Sequence, residues 1–138
     1  MDAAQALADL TEISTQIESA VLAGGDGKVL ASTFGEGERG GRVAASARDL
    51  LAAADEVGAE GAAQRLVQLQ AALPDGCVFV VRDGRHLVAA VTGTQPTVGL
   101  VFYDLKTCLR LFEREEEEKK AATAARRSRP KKEDAGEP

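Results

Sequence analysis

Between Ser19 and Thr33 the chain reads SAVLAGGDGKVLAST, two short apolar runs, Val21-Leu22-Ala23 and Val29-Leu30-Ala31, on either side of Gly24-Gly25-Asp26-Gly27. Glycine accepts positive φ angles that other residues resist, and Asp-Gly between apolar runs is a strong hairpin signal. The segment therefore predicts a β-hairpin closed at Asp26-Gly27, with Lys28 to Thr33 as its second arm. A phosphate-binding loop does not fit, because no Gly-Lys-Ser/Thr follows and a strand comes next where that loop needs a helix. Asp26 and Asp75 lack the spaced oxygen ligands of a calcium loop and read as turn residues. Ahead of the hairpin, Ala3, Leu7, Leu10, Ile13, Ile17 and Val21 recur at spacings of three and four, with Asp9, Glu12 and Glu18 off that stripe. This period predicts a helix over residues 2–18.

A glycine-rich polar loop, residues 35–41, separates the hairpin from a second helical pattern over residues 41–56. It places Val43, Ala47, Leu50, Leu51, Ala54 and Val57 on one face, and Gly58 and Gly61 mark its end through the left-handed conformation glycine tolerates. From Gln64 the period changes to two. Over Arg65 to Leu73, Val67, Leu69, Ala71 and Leu73 point one way, and Leu66, Gln68, Gln70 and Ala72 the other. Turns at Pro74-Asp75-Gly76 and Asp83-Gly84 then join this run to Cys77–Val81 and Leu87–Val91, giving a three-stranded meander. A last helix starts near Thr97, a plausible capping residue, with Val98, Val101, Phe102, Leu105, Cys108, Leu109 and Phe112 as its apolar stripe. Beyond Phe112 the stripe gives way to charge, with Glu115-Lys119 and Glu116-Lys120 spaced to support a helix running into solvent. Disorder is expected after Ala125.

These elements make one α+β domain over residues 1–112, in the order α-β-β-α-β-β-β-α, with a five-stranded antiparallel sheet and helices on both faces. Residues 113–138 form a charged helical extension and tail. The 138 residues carry a net charge of −5. All of it falls on residues 1–112, with 9 basic and 14 acidic side chains, while residues 113–138 carry 8 of each. An acidic domain is a poor grip for phosphate, so no nucleic acid is expected as a partner. The basic tail cluster of Arg126, Arg127, Arg129, Lys131 and Lys132 is offset by Glu133, Asp134 and Glu137, which favours a solvated tail. No apolar run approaches the roughly 20 residues of a membrane span. Cys77 and Cys108, 31 residues apart, read as reduced core fillers of a cytoplasmic protein. His86 is the only histidine and is expected at a solvent-facing strand end, so neither a serine-hydrolase triad nor a multi-histidine zinc site can be assembled. No catalytic group, metal ligand set or cofactor is expected.

The Cys77 and Leu87 strands are apolar at nearly every position, as for strands covered on both faces, whereas the Arg65–Leu73 strand alternates and belongs at an edge. It contains no proline and one charge, Arg65, so nothing blocks its free side. It is therefore expected to pair with its own copy in a homodimer. Near the second helix, Arg39, Arg42 and Arg48 are candidates for contact with an acidic partner surface, although surface charges are common.

The element order, together with Ala20-Val21-Leu22-Ala23 leading to Asp26-Gly27-Lys28-Val29-Leu30-Ala31-Ser32, the closing Thr92-Gly93, and Val98-Gly99-Leu100 opening the last helix, resembles the roadblock/LC7 family, in particular its bacterial members. These are packing and turn residues, and they cover nearly the whole domain. The resemblance implies dimerisation through the third strand and second helix, here Leu66, Val67, Gln68, Leu69, Gln70, Ala47, Leu50, Leu51 and Ala54. It also implies a scaffold or regulator of a Ras-like small GTPase of the gliding-polarity type, in some relatives one that accelerates GTP hydrolysis without supplying an arginine finger. By position the GTPase would meet the segment Arg42 to Val57, with Arg39, Arg42, Val43, Ser46 and Arg48 as contact residues. The extension after Phe112 is longer and more charged than the family's core pattern. The competing expectation is a PAS- or GAF-type ligand sensor, which also packs helices on a five-stranded antiparallel sheet but needs bulkier or more polar cavity liners than this aliphatic core supplies.

Overall fold

Eight elements follow one another in a computed structural model that describes residues 2–58 and 67–128: α1 (Ala3–Ile13), β1 (Ile17–Gly24), β2 (Val29–Ser32), α2 (Arg39–Val57), β3 (Val67–Leu73), β4 (Gly76–Asp83), β5 (His86–Thr92) and α3 (Val98–Ser128). This is the α-β-β-α-β-β-β-α order expected from the sequence. The strands form one antiparallel sheet in the order β2-β1-β5-β4-β3. One face carries α1 and α3 over a core that includes Leu7, Leu10, Leu22, Phe79, Val88, Leu105 and Leu109. The other carries α2 over Val21, Ala23, Val80, Leu87 and Ala89. Strands β1, β4 and β5 are buried along most of their length, as double coverage requires.

Helix α1 opens on Asp2, whose carboxylate accepts the Gln5 backbone N–H at 2.8 Å. It ends at Ile13, five residues before the periodicity predicts. Ile17 instead registers with Thr92, and the ladder between β1 and β5 runs on to Gly24 and His86. The stripe of threes and fours misleads here because a central strand is buried on both faces, so Ile17 and Val21 satisfy a helical spacing while lying in a strand. Ile13, the last helical residue of the stripe, is 70% exposed.

The hairpin turn forms as expected at Asp26-Gly27. Gly27 holds φ at +88°, and the Lys28 N–H donates to Asp26 Oδ1 at 2.9 Å. The turn is also stitched to its neighbour, for the Gly25 N–H donates to the Arg85 carbonyl at 2.8 Å in the β4–β5 turn.

Helix α2 buries Gly40, Ala44, Ala47 and Leu51, spaced by four, three and four. A Cβ at Gly40 would collide with the Ser32 hydroxyl, so glycine is what lets the first turn of α2 lie on β2. Leu50 and Val57, expected on the buried face, are 45% and 88% exposed. The reason is placement, because α2 lies over β1, β5 and β2 and leaves the far end of the sheet uncovered. The helix closes with the Gly58 N–H donating to the Ala54 and Asp55 carbonyls at φ −74°, so the expected left-handed end is not used there. Gly61 lies outside the described residues.

Helices α1 and α3 run antiparallel. Gln16, just past α1, accepts the Thr97 N–H at the start of α3 with its side-chain oxygen at 2.5 Å, and the Cys108 thiol donates to the Ala6 carbonyl at 3.6 Å. Phe79 and Phe102 meet edge to face at 5.0 Å between the sheet and α3. The helix continues past Ala125 to Ser128, while the rest of the expected tail lies outside the described residues. His86 is not the solvent-facing residue expected. Its Nδ1 lies 2.5 Å from Glu113 Oε2, its ring sits edge to face on Phe112, and both side chains of the pair are about one-sixth exposed.

Candidate protein-protein interface

Strand β3 is an outer strand, as its alternation predicts. It pairs with β4 from Val67–Arg82 to Leu73–Gly76, and its other side has no neighbour among the described residues. Val67, Leu69 and Ala71 are half-buried on the α2 side of the sheet, whereas Gln68 and Gln70 are exposed on the other. Leu66 lies outside the described residues.

Because α2 stops short of β3 and β4, a groove of about 140 Å³ opens between them, lined by Leu50, Leu69, Gln70, Ala71, Val78 and Val80. The side chains that line it on the α2 side are apolar, Gln70 turning toward Cys77 on the other face, and Leu50 forms the α2 wall. Ala54 is half-buried one turn further along. Ala47 and Leu51 are each 2% exposed and face the sheet within the protomer. The surface of α2 next to β3 is thus made by Leu50, Ala54 and Val57. Val78, half-buried, was not singled out in the sequence, since β4 reads as fully covered, while Val80, 1% exposed, lies at the floor of the groove as part of the α2-side core.

Among the basic residues near α2, Arg39 holds its guanidinium 5.2 Å from the centre of the Phe34 ring, which organises the glycine-rich loop. Arg42 and Ser46 are exposed along the outward crest of α2, while Val43 is half-buried against the α2-side core. Arg48 has turned toward the hairpin and donates from Nη1 to the Asp26 carbonyl at 3.1 Å. The structure thus brings Arg39, Arg42 and Ser46 onto one face and draws Arg48 away.

The far end of α2 is fastened to the sheet by a two-pronged ion pair that no sequence spacing reports. Arg82 Nη2 and Nη1 donate to Asp55 at 2.7 and 3.0 Å. Hydrogen bonding from Arg82 holds the Asp55 carboxyl below its ordinary value, against a smaller opposing effect of burial. Among the described residues no group of three or more histidine, cysteine, aspartate or glutamate side chains is placed to hold a metal ion. No helix among them is long and apolar enough to cross a membrane.

No protein-family model matches the sequence, and no curated protein matches it. Solved structures do. A roadblock/LC7 domain from Streptomyces avermitilis superposes with a TM-score of 0.74 at 18% identity, over 85% of this chain and 99% of that one. An MglB with a tetrameric arrangement gives 0.64 at 19% identity over 83% and 87%. Myxococcus xanthus MglB gives 0.62 at 15% identity over 82% and 86%. At these identities the likeness establishes the fold, which is that of roadblock/LC7 domains.

Proposed function

We propose that two copies of this chain join through β3 and the adjoining flank of α2, forming a non-enzymatic scaffold or regulator of a Ras-like small GTPase. One observation carries the reading. A seven-residue outer strand, free of proline, lies beside an uncovered apolar groove on the same side of the sheet. Unpaired backbone groups and unburied aliphatic surface make together the kind of edge that a second strand and helix complete. In this arrangement Val67, Leu69, Gln68 and Gln70 line the strand junction, and Leu50 and Ala54 close over it.

The GTPase assignment rests on the roadblock/LC7 fold and on the crest of α2. There Arg39, Arg42 and Ser46 stand exposed beside the half-buried Val43, in a protein whose net charge is otherwise negative. A cationic helix crest on an acidic domain fits an acidic patch on a partner. The nucleotide belongs to that partner, and any acceleration of hydrolysis comes from positioning the partner's own residues.

Two measurements test this. Light scattering on the eluted protein should give twice the chain mass, and immobilised protein should capture at least one small GTPase of its source organism in a manner that depends on whether GTP or GDP is loaded. Arg42→Glu should weaken that capture by roughly tenfold, the scale of replacing an interface charge attraction with repulsion. Indifference to every such GTPase in both nucleotide states would overturn the assignment.

A further inference from the structure

We infer that the groove between α1 and α3, on the opposite side of the sheet from α2, is a docking site for a helix of a partner protein that inserts one lysine or arginine. The groove has a volume of about 140 Å³ and is walled by Leu10 and Ile13 from α1 and by Tyr103, Thr107 and Leu111 from α3. Two carboxylates, Asp9 and Asp104, share this largely apolar lining, and no basic side chain among the described residues does. Asp9 accepts from Gln5 Nε2 at 2.9 Å, whereas Asp104, only 9% exposed, has no hydrogen-bond or ion-pair partner among the described residues. Its neighbours one turn away on α3, Leu100, Val101, Thr107 and Cys108, include no cation, and α1 carries none over its whole length. A carboxylate nine-tenths out of water and unpaired is destabilising, and an incoming cation relieves it.

Size and rim decide what brings the cation. The volume falls well below the roughly 300–1,000 Å³ of small-molecule pockets, but it suits one long side chain whose aliphatic stem lies on the apolar walls while its head meets Asp104. Around the slot Ile13 is 70%, Tyr103 65%, Leu100 49% and Leu111 41% exposed, more apolar surface than a free amine covers. Two antiparallel helices offer a third a groove to lie in, and the exposed rim matches apolar positions flanking a lysine or arginine on such a helix. The chain's own basic tail does not reach the slot within one copy. From Asp104 to Ser128 the helix runs about 36 Å, and the four residues from there to Lys132 span at most about 14 Å.

Calorimetric titration of the full chain tests the site with a blocked helical peptide of leucine, alanine and glutamine carrying one central lysine, and with the same peptide carrying norleucine there. The lysine peptide should bind with a Kd on the order of 10–100 µM, and the norleucine peptide at least tenfold more weakly. Asp104→Asn, close in shape, should weaken the lysine peptide at least tenfold and leave the norleucine peptide unchanged, with the far-ultraviolet spectrum intact. Ile13→Ser, at an exposed site, should weaken both peptides. The inference is overturned if the lysine peptide fails to bind at about 1 mM, if wild type binds both peptides equally, or if Asp104→Asn weakens both alike. Pentylamine binding as tightly as the lysine peptide would also overturn it, making this a small-amine site. So would tighter binding of a peptide of residues 126–138, which would give the slot to the tail of another copy. The β3 junction uses the α2 side of the sheet, so its failure would leave these titrations unchanged.

Discussion

The Arg82–Asp55 pair shows how one contact fixes an element that local sequence leaves free. Residues 55 and 82 belong to α2 and β4, and the pair locks the last turns of the helix beside an otherwise uncovered part of the sheet. With the Asp55 carboxyl held below its ordinary 3.8 in the folded state, chiefly by the Arg82 hydrogen bonds, the contribution is present above that value and is lost as pH falls through the lower, folded-state one. Asp55→Asn should therefore lower the urea midpoint at neutral pH, and the gap from wild type should narrow at a pH well below the ordinary carboxylate range. An equal gap at both pH values would count against it. Cys108 follows what its apolar run suggested, since burial, with a smaller contribution from Asp9, pushes its thiol up to about 11 and keeps it protonated. His86 does not, because the residue that pairs with it lies 27 positions away and no local spacing reports that distance.

At the scale of elements, most of the architecture is legible. The period-two run at Val67, the two Asp-Gly turns and the stripe ending at Phe112 mark β3, the meander and the core of α3. What escaped was the point where α1 yields to β1, since Ile17 satisfies both periods and only its pairing with β5 decides between them. The lateral position of α2 escaped as well. A helical stripe says which side of a helix is apolar, not which strands lie beneath it, and Leu50 and Val57 are exposed for that reason. The groove beside β3 was thus half visible, in the strand but not in its helical wall. Leu50→Asp tests that wall. As a half-exposed residue it should leave the monomer's melting temperature within a few degrees of wild type. The proposed β3 dimer should weaken by roughly tenfold or more, the scale of withdrawing one leucine from each side of the junction. An unchanged dimer would place the junction elsewhere.

For the whole molecule, the extension is less separate than its composition suggests. Glu113 meets His86, and Arg85 lies 3.6 Å from Glu117, so the first charged turns after Phe112 are tied to the β4–β5 turn. We propose that the folding unit reaches past residue 112. A chain ending at Phe112 should fold but lose about 1–2 kcal/mol in denaturant unfolding, most of it restored in a chain ending at Glu118. Equal stability of the two would return the boundary to Phe112. The strand order has a last consequence, for growth. A sheet with two open edges invites endless addition, yet its edges here are unequal: β3 is seven residues long, while β2 is four and faces a register shift in β1 between Leu22 and Ala23. Short, irregular margins are poor templates. Two five-stranded sheets fused at β3 would expose only β2 at either extremity, so accretion ends after a single step and the assembly stays finite where a flat sheet of this composition would seed fibres.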